Sequence, residues 1–147
     1  RIGVSTAKGL CYALNIPLIS IQTLEILAHQ VKISKGFIVP MIDARRMEAY
    51  TKVFTSDYKE YRVIQAEVLN EKSFKQILSE NKVVFVGNKT EKTQEVIQDE
   101  NASFIDTLPS AKEMSSLAYA KYKKNDIEDV AYFEPYYLKD FLTQNPR

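Results

Sequence analysis

Cysteine and histidine occur once each in this 147-residue chain, as Cys11 and His29, and glycine only four times. A single cysteine rules out an internal disulfide and suits a reducing, cytoplasmic compartment. One imidazole, with no H-E-x-x-H and no second histidine, leaves a catalytic zinc site without its ligands, so His29 is expected to be structural. Cys11, on an apolar helical stripe, reads as a small buried hydrophobe. Gly3, Gly9, Gly36 and Gly87 are too scattered to form a phosphate loop. No apolar run approaches the roughly 18 residues of a membrane span, and no signal peptide is visible. Charge of one sign is scarce too: the net charge is +1, and arginine stands only at positions 1, 45, 46, 62 and 147. Nothing here would hold a polyanion unaided.

What is present is a core: 45% of the residues are hydrophobic and 27% charged, enough for one globular domain or two small lobes. Phe37 to Ile42, FIVPMI, is an unbroken apolar run of strand length. It reads as a strand buried on both faces, in the middle of a sheet. Pro40 cannot donate to a ladder, which leaves the register open at that point. Asp43 to Arg46 reads as a turn and Glu48 to Phe54 as the returning strand. Asp43, Arg45, Arg46 and Glu48 place four charges at the end of the buried strand; pairing with each other and with water accounts for them.

Before this hairpin, Ile2, Val4, Ala7, Cys11 and Leu14 make an apolar helical stripe that starts at once, with no N-cap ahead of it. An upstream part of a longer protein is therefore expected. The same helix carries Gly3, Ser5, Thr6, Ala7, Gly9 and Ala13, small residues that let another backbone come close, either the chain's own sheet or the helix of a second protein. Ile16 to Ile21 reads as a short buried strand, and Leu24, Ile26, Leu27 and Val31 as the apolar face of a helix capped by Thr23.

After the hairpin the pattern predicts a strand over Tyr61–Leu69, a short helix over Ser73–Ser79 and a buried strand over Lys82–Gly87. A polar helix over Thr90–Gln98 and a strand over Ala102–Leu108 follow. Pro109-Ser110 opens a last helix, with Ala111, Met114, Leu117, Ala118, Ala120 and Tyr122 as its apolar face. The order β, β, β, α, β, α, β, α is a ribonuclease-H-like α/β layout, a mixed sheet with three antiparallel strands, as in each lobe of the actin, sugar-kinase and Hsp70 (ASKHA) superfamily. Residues 1–36 would be the remainder of a truncated N-terminal lobe, and 37–147 a second lobe with a C-terminal segment. In nucleotide-binding members, glycine-rich turns let backbone N–H groups reach phosphates. The bulky turn from Asp43 to Met47 closes that approach and argues against kinase chemistry in this lobe.

These residues also carry a resemblance. RIGVSTAKGL with IPLISIQTLE, then IDARRMEAY, then FEPYYLKDF from Phe133 to Phe141, resemble the TsaB family, also called YeaZ, over nearly the whole chain. In that family a Gly-Pro-Gly-Ser-Phe-Thr-Gly loop precedes the residues matching Arg1 to Gly3, and glycine often stands where this chain has Met47. The resemblance implies a non-catalytic scaffold or activator for TsaD, which threonylcarbamoylates adenosine next to the anticodon of tRNA, with TsaE and ATP joining the assembly. It implies no cofactor on this chain alone, with ATP and metal in the partner complex and tRNA met only through that complex. A homodimer is a further possibility, and no membrane is involved. The glycoprotease name sometimes attached to the family has no support in a chain with one histidine.

Carried over by position, the resemblance puts Gly3, Thr6, Ala7, Leu10 and Leu14 at a partner interface. It matches Asp43, Arg45 and Glu48, and Glu134, Pro135 and Tyr137, to family motifs whose expected role is to hold the fold. Pro135 ends any helix before it, and Tyr132, Phe133, Tyr136, Tyr137 and Phe141 are expected to pack the terminal segment over the lobe. The alternative is a stand-alone nucleotide-dependent phosphotransferase of the same superfamily, which would turn over nucleotide by itself.

Overall fold

The computed structural model describes residues 2–44, 47–88 and 90–139. Five strands, β1 (Phe37–Asp43), β2 (Glu48–Thr55), β3 (Glu60–Val68), β4 (Val83–Gly87) and β5 (Ala102–Asp106), form one sheet in the order β3-β2-β1-β4-β5. The first three are antiparallel neighbours, and β4 and β5 run parallel to β1. The expected ribonuclease-H-like layout is therefore present. Its helices are α1 (Ile2–Leu14), α2 (Thr23–Ala28), α3 (Lys75–Leu78), α4 (Thr90–Val96) and α5 (Ala111–Lys123).

The apolar run of β1 is continuous because both of its faces are covered. Val39 and Met41 point into a core with Val83, Phe85, Leu78 and Ile97, while Ile38 points the other way, among Leu24, Leu27, Val31 and Val86. Alternation along a pleated strand sends neighbours to opposite faces, so a strand with two covered faces cannot show a polar period. Pro40 does not disturb the pairing. Ile38 lies opposite Phe54 and Met41 opposite Thr51, so the register with β2 runs through the proline unshifted. The irregularity lies instead between β2 and β3, where the register slips between Thr51 and Val53 and again between Val53 and Phe54. Each slip leaves an extra residue in β3, the edge strand, which bends and blunts that edge.

Polar groups settle at these slips. Arg62 Nη2 reaches Glu67 Oε1 at 2.5 Å and Thr51 Oγ1 at 3.1 Å, and its guanidinium carbon lies 4.6 Å from the centre of the Phe74 ring. On the opposite face the buried Lys52 pairs with Glu60 at 2.6 Å and donates to Gln22 Oε1 at 3.0 Å. A buried ammonium is tolerable only with such partners.

The chain divides into two compact units, one of residues 21–117 and one of the residues up to Ser20 together with those from Ala118 onward. Within residues 21–117, α2 lies against the sheet through Leu24, Leu27 and Ala28. Several local expectations need correction. Among the described residues Ile16–Ile21 forms no strand: only Leu18 pairs, in an isolated antiparallel bridge with Glu128. The residue preceding α2 is Gln22 and not Thr23, and no side chain caps the helix. Helix α5 begins at Ala111 and buries none of its residues. Of its apolar positions Met114, Leu117 and Ala118 are half-buried and Ala111, Ala120 and Tyr122 exposed, so periodicity there translated into partial burial only.

Candidate functional site

The charged turn lies at the carboxyl end of β1, beside the carboxyl end of the parallel strand β4. In α/β sheets such strand ends are where ligands bind. Gly87 closes β4 with φ +151°, and a Cβ there would stand 1.9 Å from the carbonyl oxygen of Met41. Only glycine allows the two strands to end this close together. Asn88 then turns its Oδ1 to accept the backbone N–H of Asp43 at 3.1 Å.

Within the turn, the N–H of Ala44 donates to the carbonyl of Glu48 at 2.8 Å, and the N–H of Leu69 to the carbonyl of Met47 at 2.8 Å. Met47 adopts φ +62°, a left-handed conformation in which a non-glycine residue is uncommon. The cavity enclosed by Met41, Asp43, Met47, Glu48, Asn88 and Lys92 measures about 10 Å³. That is room for about one water molecule and not for a phosphate chain. Among the described residues, Met41, Met47 and Asn88 leave little room between the strand ends. Arg45 and Arg46, on which part of the sequence motif rests, lie outside the described residues.

The second place of interest is α1. Gly3, Thr6, Leu10 and Leu14 are exposed, Leu10 at 55% and Leu14 at 63%, and Ala7 is half-buried. Of the stripe expected to face inward only Cys11 is buried; Val4 and Ala7 are half-buried, whereas Ile2 and Leu14 point to solvent. Among the described residues, a Cβ built on Gly3 or on Gly9 would meet nothing within 4 Å. Lys8 ties α1 to the terminal segment, its ammonium donating to the carbonyls of Ala131 at 3.2 Å and Phe133 at 2.8 Å. The sequence offered no signal for this lysine, since its partners lie over a hundred positions away and are main-chain atoms.

The terminal motif is less buried than its aromatic content suggested. Phe133, Pro135 and Leu138 are half-buried, Glu134 and Tyr137 exposed, Tyr132 84% exposed and Tyr136 74%. Phe141 lies outside the described residues. Asp129 organises the approach to this segment, its Oδ1 accepting from the N–H groups of Ala131 and Tyr132.

His29 lies 2.9 Å from the carbonyl oxygen of Glu25 through Nδ1, and its ring stacks on Tyr58 with centroids 4.1 Å apart. Among the described residues no group of three or more histidine, cysteine, aspartate or glutamate side chains is placed to hold a metal. No helix of the described residues is long and apolar enough to cross a membrane. In the β2–β3 turn, the hydrogen bond from Lys59 and a second from Thr55 hold the Asp57 carboxyl below the usual range, and Asp57 in turn raises the Lys59 ammonium.

The fold and the filled strand ends define a ribonuclease-H-like lobe of the actin-like class. A family model described as TsaD, tRNA N6-adenosine threonylcarbamoyltransferase, matches residues 1–145. The tRNA threonylcarbamoyladenosine biosynthesis protein TsaB of Bacillus subtilis (strain 168) is 31% identical over 95% of this chain. The chain spans 63% of the length of that relative. Two solved structures have the same fold: a Pseudomonas aeruginosa protein with similarity to the peptidase YeaZ, and YeaZ from Pseudomonas aeruginosa. The first has a TM-score of 0.80 and 20% identity, over 95% of this chain and 67% of that one. The second has a TM-score of 0.76 and 21% identity, over 94% and 66%. The chain belongs to the TsaD family and is similar within it to the TsaB protein of Bacillus subtilis.

Proposed function

We propose that this chain acts in threonylcarbamoyladenosine biosynthesis as a non-catalytic partner, binding a TsaD protein through α1, with TsaE and ATP joining that assembly and tRNA met only within it. The observation that carries this reading is the surface of α1. Apolar Leu10 and Leu14 lie exposed on the same helix as Gly3, and among the described residues a Cβ added at Gly3 would meet nothing within 4 Å. A helix face that is apolar and also low in profile suits close packing against another helix. Family membership supplies the pathway, and the curated relative carries it in its name. The filled cavity at the ends of β1 and β4 weighs against a stand-alone phosphotransferase.

The test mixes this chain with TsaD from the same organism and reads the mass of the product by light scattering on a sizing column, followed by an assay of tRNA threonylcarbamoylation. A heterocomplex that Leu10→Arg weakens, together with no turnover by the chain alone, is the expected result. Nucleotide turnover by the chain alone, or a complex indifferent to Leu10→Arg, would overturn it.

A further inference from the structure

The two edges of the sheet differ. β3 is bulged twice and carries charge along its length, as Glu60, Arg62 and Glu67. β5 is paired with β4 in unbroken register from Ala102 to Asp106 and contains neither proline nor lysine. Natural sheets blunt their edges with bulges, proline and lysine, so β5 is an edge left able to pair. The direction of its main chain can be read from the bonds that flank it. Val83 donates to the carbonyl of Asn101, and Thr107 to the carbonyl of Gly87, both at 2.8 Å. Positions 101 and 107 therefore face β4. By the two-residue alternation of a strand, the main-chain groups of Ala102 and Phe104 face outward. The N–H of Ala102 is taken by Asp99 at 3.0 Å. The carbonyl of Ala102 and both main-chain groups of Phe104 remain at the edge, and no described strand pairs with them.

An open groove of about 720 Å³ runs between this edge and α4. Ile97 and Phe104 contribute apolar surface to it, and among the described residues its charged side chains are Glu91, Glu95 and Asp99, with no basic one. Phe104 is held in place by stacking on Phe85, with centroids 5.1 Å apart.

We infer that β5 and this groove accept an extended peptide segment in which basic and apolar residues alternate, added to the sheet as a sixth strand. Main-chain bonds to Phe104 would supply the pairing. Successive side chains of the added strand would point to opposite faces of the sheet, lysine or arginine into the groove against Glu91, Glu95 and Asp99, and apolar residues to the other face beside the exposed Ile105. Charge decides the occupant: an acidic segment would bring like charges together at Glu91, Glu95 and Asp99.

The experiment titrates the chain with an acetylated, amidated peptide of about six residues, the usual length of a strand, alternating lysine and valine. A glutamate–valine counterpart is the control, and amide hydrogen exchange at Phe104 is followed by NMR. The lysine peptide is expected to bind and to slow exchange at Phe104, the glutamate peptide to do neither. The double variant Glu91→Lys, Glu95→Lys changes two exposed helix positions and is expected to keep its circular dichroism while binding the lysine peptide at least about tenfold more weakly. Binding without protection at Phe104 would reduce the site to a charged surface and overturn the strand-addition reading. Equal binding of both peptides, unchanged affinity in the double variant, no binding at all, or self-association of the chain through this edge would each overturn the inference as well.

Discussion

The strand β1 and the helix α1 are both rich in apolar and small residues, yet the structure treats them in opposite ways. In β1 the residues Ile38 to Met41 are all buried, whereas in α1 only Cys11 is. The difference lies in what surrounds each element. β1 sits between β2 and β4 with helices over both faces, so every side chain meets protein. α1 is held by polar bonds from Lys8 and keeps an apolar face in solvent. Apolar sequence in the first region has been used up in folding. In the second it remains available for binding.

That contrast can be broken most forcefully in the core. Phe85 is fully buried, edge-on to Phe74 and stacked on Phe104. Phe85→Ala is expected to lower stability by about 3–5 kcal/mol in denaturant unfolding, through lost transfer energy and the cavity left behind. If the loss were a fraction of this, the sheet core would not be the close-packed part of the molecule.

A change on the exposed face should behave differently. Leu10→Ser is expected to leave the unfolding midpoint within about 0.5 kcal/mol of the parent, as exposed substitutions do, while weakening association with TsaD. A large loss of stability with unchanged association would show α1 to be a fold-holding helix after all.

The smallest effect is expected at the exposed β2–β3 turn, which belongs to neither class. The lowered titration of Asp57 contributes stability that is present above the ordinary carboxylate range and disappears as pH falls through the group's lowered value. The raised titration of Lys59 contributes stability that is present below the ordinary lysine range and disappears as pH rises through its raised value. Asp57→Asn should therefore trail the parent slightly across the neutral range and match it in strong acid, in thermal unfolding followed against pH. Both groups are exposed, so added salt should shrink the difference.

Much of the sheet was legible. The five strands can be located within one to two residues at their ends because β-branched and aromatic runs alternate with turn residues such as Asp43, Gly87 and Asn88. The candidate site was legible only as chemistry. The motif around Asp43 and Glu48 can be seen in the sequence. Its filling by Met41, Met47 and Asn88, down to a space for about one water, cannot. Periodicity misled at α1 and α5, because a 3.6-residue apolar period states which face could be buried and not whether anything lies over it. Ile16–Ile21 misled for a related reason: an apolar run of strand length becomes a strand only where a neighbouring backbone pairs with it, and here only Leu18 found one.

By itself the sequence determined the order of strands and helices and the two-sided burial of β1. It also determined the scarcity of metal-ligating side chains, with one histidine and one cysteine in the whole chain. These follow from local propensity, side-chain period and composition, which act within a few residues of chain. Tertiary structure alone decided that Pro40 passes through the sheet without shifting its register, and that the slips fall in β3. It alone decided that Lys8 bonds to carbonyls at positions 131 and 133, and that β5 is left as the open edge. Each of these depends on atoms far apart in the chain meeting in space, and no local pattern of residues encodes that meeting.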